Sequence, residues 1–149
     1  MRDWILLLFF SAVALTPPAA ADAKGPRAFT GKVVVHAENG VRALKRTELA
    51  AIFLGKKSTW DSGKRIIPIL QSERSPVARE FLREILGRSL SQYRAHWKRR
   101  LFSGGGTVPR TLPTAEEVMA FVARHPGAIG VVAGSSQPDG RMRTIGIRD

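Results

Sequence analysis

Apolar and polar positions along this chain follow two alternating rhythms. The first compact apolar block, Lys32-Val33-Val34-Val35-His36 behind Gly31, is β-branched and predicts a strand. Residues 37–41 follow as a loop with Asn39-Gly40 as its turn. Leu44, Leu49, Ile52 and Phe53 then recur at helical spacing, and Gly55 sits where a helix ends. Residues 56–64 predict a polar loop carrying Trp60 and the turn Asp61-Ser62-Gly63. Residues 65–70, Arg-Ile-Ile-Pro-Ile-Leu, predict a second strand, in which Pro68 limits the side that can pair.

The next helix start is strongly marked. Ser75 suits an N-cap, and Pro76 suits the first helical position, where its missing N–H costs nothing. Val77, Ala78, Phe81, Leu82, Ile85 and Leu86 trace one face, and Arg79, Glu80, Arg83 and Glu84 the other, until Gly87. Ser89-Leu90-Ser91-Gln92 is a capping box, and Leu90, Tyr93, Trp97 and Leu101 share a face of the helix it opens. Ser103-Gly104-Gly105-Gly106 cannot continue that helix. Thr114-Ala115-Glu116-Glu117 predicts a further box and helix with Val118, Phe121 and Val122 inward, stopped by His125-Pro126-Gly127. Residues 128–132 predict a third strand, and residues 142–147 a last one after the turn Gln137-Pro138-Asp139-Gly140. Strands alternating with helices predict an α/β layer structure, helices covering a mixed or mostly parallel sheet. No internal repeat or low-complexity tract interrupts it.

The chain's beginning belongs to another pattern. Arg2 and the amino terminus precede an apolar run over residues 5–15. Pro17-Pro18 and Ala19-Ala20-Ala21 follow it. The run is shorter than the ~20 apolar residues that span a bilayer, and the order of parts is that of a cleaved secretory signal. Residues 1–21 are therefore expected to be a signal peptide cut after Ala21, releasing a single domain, 22–149, into the periplasm. No later segment is apolar and long enough to cross a membrane. The absence of cysteine excludes disulfides and thiolate metal sites. A formal charge of +12 favours anionic partners: phosphates, lipopolysaccharide, acidic glycans and, least for an exported protein, nucleic acid. The same charge also serves solubility alone.

Chemistry-bearing patterns are sparse. His36, His96 and His125 lie at no metal-ligand spacing, and Glu116 and Glu117 are neighbours that point apart on a helix. There is no Gly-x-Ser-x-Gly elbow, and Val108-Pro109 stands where a phosphate loop needs Gly-Lys-Ser/Thr. A noncatalytic protein without cofactor is expected. Arg94, His96, Lys98, Arg99 and Arg100 surround Tyr93 and Trp97, a pattern shared by a membrane-surface helix and by an ordinary helix with a buried aromatic stripe; the stripe fits better. The start at Ser75, beside Arg74, combines unpaired N–H groups with positive partial charge, which suits an oxyanion, although Ser75 also serves simply to cap its helix.

Five pieces then occur in a characteristic order: Leu49-x-x-Ile52-Phe53-Leu54-Gly55-Lys56, the loop residue Trp60, "RIIPILQSERSPVAREFL", "YRAHWKRRLFSGGGTVP" and "HPGAIGVV". Together they resemble the periplasmic phosphate-binding proteins of transporters, and more closely small exported proteins that carry one lobe of that fold. The resemblance runs from Lys32 to Ile147 and implies a three-layer, single lobe of the type II periplasmic-binding-protein fold, with phosphate or a similar oxyanion as ligand class. In that family the second strand leads to an arginine, followed four residues later by Ser-Gly-Thr at a helix start. Here Gln71 stands at the arginine position, Ser75 keeps the serine, and Pro76-Val77 replace Gly-Thr. Gln71 brings no charge, Pro76 no N–H and Val77 no hydroxyl. The resemblance thus implies a weakened oxyanion site at Gln71, Arg74, Ser75 and the Val77 N–H. A single lobe presents an open half-site, which a second copy or an envelope protein would complete. The alternative function is a periplasmic interaction module (an accessory to a sensor, porin or transporter) that has lost its small ligand.

Overall fold

The computed structural model describes residues 28–149; the expected signal peptide lies outside the described residues. Its ten elements run β1 (Lys32–His36), β2 (Ala43–Lys45), α1 (Arg46–Phe53), β3 (Ile67–Gln71), α2 (Pro76–Glu84), α3 (Leu90–Phe102), β4 (Arg110–Leu112), α4 (Ala115–Val122), β5 (Ala128–Val132) and β6 (Met142–Arg148). The strands form one mixed sheet in the order β2-β6-β1-β5-β3-β4. β1 runs antiparallel to both β5 and β6, whereas β3 pairs parallel with β4 and β5, and β2 with β6. None of the described helices is long and apolar enough to cross a membrane.

The centre of the sheet explains the three layers. Every residue of β5 is buried, as are Val33, Val34 and Val35 of β1. Side chains of a strand alternate between faces, so strands apolar at every position need helices on both. Val33, Val35, Ile129 and Val131 join the larger core with α1, α2 and α3, while Val34, Ala128 and Val132 join the smaller one under α4. Phe53 and Phe81 meet edge to face at 4.8 Å in the larger core. Trp60 is buried there too, and its Nε1 donates to the Gly127 carbonyl at 3.0 Å, fastening the basic loop to the head of β5.

Pro68 behaves as its chemistry requires. The Ile67 N–H donates to Gly127 O on the β5 side, so position 68 points toward β4, whose ladder begins only at Ile69. The missing donor falls where no acceptor strand exists.

Three sequence expectations change. Leu44 is not helical: it lies in β2, opposite Ile147 of β6, and the chain passes from that strand into α1 with Lys45 as N-cap. A three-residue strand fused to a helix shows no alternation of its own, so Leu44 merges with the helical spacing that follows. β4 is an edge strand with Arg110 and Thr111 exposed, and carries no apolar signal. Leu101 is 57% exposed and leaves the buried stripe of α3, although Tyr93 and Trp97 are buried as expected. The cause lies at Gly55, φ 75°, whose absent Cβ would stand 2.6 Å from the Trp97 ring. Trp97 lies on the end of α1, and Leu101, one turn later, is exposed beyond that contact.

Two measurements check this packing. A Cβ at Gly130 would meet Val118 Cγ1 at 2.7 Å and Val122 Cγ2 at 3.0 Å, so Gly130→Ala should push α4 off the sheet. The expected loss is about 1–3 kcal/mol by urea denaturation, as for other overpacked cores. Burial pushes the phenol of Tyr93, the only tyrosine, well above its usual range. Absorbance at 295 nm should therefore stay flat through the ordinary tyrosine pKa of about 10 while the protein is folded. The unfolded chain loses that proton first, so stability is unaffected by this group below about pH 10 and falls as pH rises beyond it.

Candidate functional site

Three parallel strands, β4, β3 and β5, end at one edge of the sheet, and their exits diverge. The chain leaving β3 after Gln71 enters α2 on the larger-core face, while the chain leaving the adjacent β4 enters α4 on the other face. Adjacent strands whose connections depart to opposite faces leave a crevice at their carboxyl ends, where α/β sheets hold their ligands. Gln71 and Leu112 are paired at that point, and the Ser72 N–H donates to Leu112 O at 2.8 Å, keeping the two exits together.

The β3–α2 turn is built from its own side chains. Ser75 N–H donates to Ser72 O at 2.7 Å and Arg74 N–H to Ser72 Oγ at 3.3 Å. Ser75 is buried, and its Oγ accepts the Ala78 N–H at 3.3 Å, so the hydroxyl caps the helix. Arg79 N–H goes to Ser75 O at 3.3 Å. Pro76 has no N–H, which leaves Val77 as the first-turn donor with no acceptor among the described residues. The Val77 side chain is buried, with its Cγ2 placed 2.7 Å from where a Cβ on Gly31 would stand.

Two cavities flank the turn. One, about 390 Å³, is lined by Ser72, Glu73, Arg74, Arg79, Arg94 and Thr111, with Leu90 at its side. Glu73 accepts from Arg94 Nε at 3.0 Å and also from Arg94 Nη2, and its backbone carbonyl accepts from Arg79 Nε at 3.3 Å. Glu73 raises the already high pKa of Arg94 through that hydrogen bond and its charge. No carboxylate among the described residues pairs with Arg74. Three guanidiniums against one carboxylate leave this hollow positive. The other cavity, about 640 Å³, holds Gln71 with Thr114, Glu116, Ser135, Ser136 and Gln137. The Gln71 Oε1 atom is buried without a donor among the described residues, so the amide retains hydrogen-bonding capacity.

The residues named from sequence are thus divided. Arg74 joins Arg79 and Arg94, Ser75 and Val77 form the helix start beside them, and Gln71 faces the neighbouring cavity. Arg94 was read only as part of the helix's basic face, and Thr111 and the Ser135-Ser136-Gln137 loop carried no sequence signal toward a site. Each imidazole is engaged elsewhere: His36 Nδ1 with the Glu38 N–H at 3.1 Å, His96 Nε2 with Leu54 O at 2.9 Å and His125 Nδ1 with Phe121 O at 2.7 Å.

No protein-family model matches the chain, and a search of curated proteins returns no match. Solved structures do match. An ABC-type phosphate transport receptor from Vibrio cholerae superposes with a TM-score of 0.61 at 18% identity, over 78% of this chain and 45% of its own. A putative phosphate ABC transporter substrate-binding protein with bound phosphate, from Clostridium perfringens, gives 0.61 at 16% identity, over 78% and 44%. PstS from Borrelia burgdorferi gives 0.59 at 12%, over 78% and 46%. The chain has the fold of one lobe of a type II periplasmic binding protein. At these identities the likeness is one of fold, and the chain spans less than half the length of each neighbour. The α/β, three-layer expectation holds, with a mixed sheet.

Within the lobe the Ser75 cap has a measurable weight. Ser75→Ala should cost about 1 kcal/mol of stability in urea unfolding, with no change in secondary structure by circular dichroism.

Proposed function

We propose that this lobe is a noncatalytic periplasmic solute-binding domain related to phosphate ABC transport, which takes phosphate or a similar oxyanion weakly at the start of α2. What supports the reading is the positive hollow of Arg74, Arg79 and Arg94 at the carboxyl edge of the sheet, with the start of α2 beside it, where the Val77 N–H has no acceptor among the described residues. One of the solved structures sharing this fold holds phosphate. In this reading the helix start supplies partial positive charge and the Val77 donor, and Arg74 supplies a guanidinium for charge-assisted hydrogen bonds. Ser75 holds the turn by capping it, and Gln71 adds a neutral amide from the adjoining cavity. Export through cleavage of residues 1–21 belongs to the same proposal.

Weak binding follows from the chemistry. Gln71 lacks the bidentate, permanently charged fork that an arginine offers an oxyanion, and an open half-site leaves a bound anion wet and screened.

Thermal unfolding in phosphate, sulfate and chloride at matched ionic strength tests the reading. A ligand specific to the native state stabilises it by about 1.4 kcal/mol at ten times its Kd, which raises Tm by a few degrees in a domain of this size. Phosphate should give a rise beyond that of chloride, and the double variant Arg74→Ala, Ser75→Ala should reduce that difference. Equal shifts in all three salts would show only screening of a basic surface. An interaction module for an envelope protein would then replace this proposal.

A further inference from the structure

Among the described residues, two of the three large apolar side chains that the fold leaves exposed are adjacent on the last turn of α3. The three are Leu101, Phe102 and Val108, at 57%, 84% and 37% exposure. They sit on the last turn of α3 and the glycine-rich loop after it. Cations frame them: Lys98 and Arg99 are exposed on the same turns of α3, and Lys56 is exposed next to Gly55, against which this end of the helix rests. No acidic residue falls between Glu84 and Glu116.

The tip is held firmly. Arg100 Nη2 donates to Gly55 O at 3.0 Å, His96 Nε2 meets Leu54 O at 2.9 Å, and the Trp97 ring covers Gly55. These contacts place a guanidinium, an imidazole and an indole over the carbonyls of Leu54 and Gly55, just past the end of α1. Leu101 and Phe102 come after the last of these contacts, so they form a convex apolar knob on a fixed support.

We propose that this tip docks on an anionic lipid surface, with Leu101 and Phe102 entering the boundary between headgroups and acyl chains and Lys98 and Arg99 meeting lipid phosphates. A knob that stands out from the fold suits a yielding surface, which closes around it, whereas a protein partner would need a preformed hollow. Two exposed apolar residues are too few to hold a protein at a membrane alone, and basic residues near a negative leaflet supply the remaining attraction. A second copy of this chain is disfavoured as occupant, because its charge of +12 has the same sign. The tip is also separate from the candidate oxyanion site, since Arg94 lies seven residues earlier on α3, about 10 Å along the axis.

Co-sedimentation with vesicles tests the proposal. The protein used begins at Asp22, which keeps every described residue and both core layers and removes the apolar run of residues 5–15, which would bind lipid by itself. Vesicles of phosphatidylglycerol and phosphatidylcholine in equal parts are compared with phosphatidylcholine alone, at about 0.1 M salt. Binding is expected on the anionic vesicles. Leu101→Ala with Phe102→Ala should weaken it at least about tenfold, and Lys98→Glu with Arg99→Glu at least about fivefold per site. All four side chains are exposed, so Tm should match the parent's, which separates lost binding from lost folding. Unchanged affinity in the Leu101/Phe102 variant would overturn the proposal and leave general adsorption of a basic protein. Absence of binding to anionic vesicles would overturn it as well.

Discussion

The structure depends on one constraint: β5 and the middle of β1 are apolar and buried at every position, so neither face of the sheet centre can meet water. Helices must therefore cover both faces, and they must come from neighbouring strands. β3 sends α2 to one face and β4 sends α4 to the other. The crevice at the carboxyl edge is a direct product of that division, as is the positive hollow beside it. Gly130 shows how tight the arrangement is, since α4 lies where an alanine side chain would have to stand. Burial at the centre thus determines where a ligand can reach the edge.

Much of this was legible in the sequence because it is written in local signals. The β-branched blocks at residues 32–36 and 128–132 gave strands whose limits match the fold, and Ser75-Pro76 marked the first turn of α2 to the residue. What stayed hidden is non-local. β2 is three residues long and exists because β6 passes beside it. β4 is polar and exposed, and owes its strand geometry to the free edge of β3. Thr114 caps α4 through the Glu117 N–H at 3.2 Å, but the reciprocal bond of the expected capping box is not formed, so half of that motif was predictive. The site divided for the same reason. Gln71 and Arg74 are three residues apart in sequence, yet the chain turns between them around the end of β3, and no periodicity announces on which side of a strand end a turn will open.

The resemblance implies an arginine where Gln71 stands and Gly-Thr where Pro76-Val77 stand, and other groups of this fold lie close to those positions. The charge missing at position 71 is present nearby, but on other elements: Arg74 in the turn, Arg79 one turn into α2, Arg94 on α3. Only Arg94 is committed to a carboxylate, Glu73, within the described residues. A guanidinium so paired contributes less to an incoming anion than one without a partner, and places the greater share on Arg74. Pro76 has no N–H and Val77 no hydroxyl, so the Val77 N–H is the backbone donor that this turn leaves without an acceptor among the described residues. At the proposed site positive potential is therefore abundant while directional donors are few, a combination that would favour attraction of anions over selection among them.

Helix α3 links the positive hollow to the exposed knob. Its first turns border the positive hollow through Leu90 and Arg94, its middle buries Tyr93 and Trp97, and its last turn overhangs α1 with Leu101 and Phe102 outward. A helix optimised only for stability would end where its support ends, near Trp97, because each exposed apolar residue beyond that point adds nothing to the core and invites association. α3 instead continues for another turn, in which Arg100 donates to Gly55 O, while His96 one turn earlier meets Leu54 O just past the end of α1. Those two contacts fix the orientation of the knob relative to the sheet. A surface engaged by the knob would therefore hold the lobe through a rigid helix rather than a loose loop, and the crevice at the opposite end of α3 would keep a constant distance from that surface.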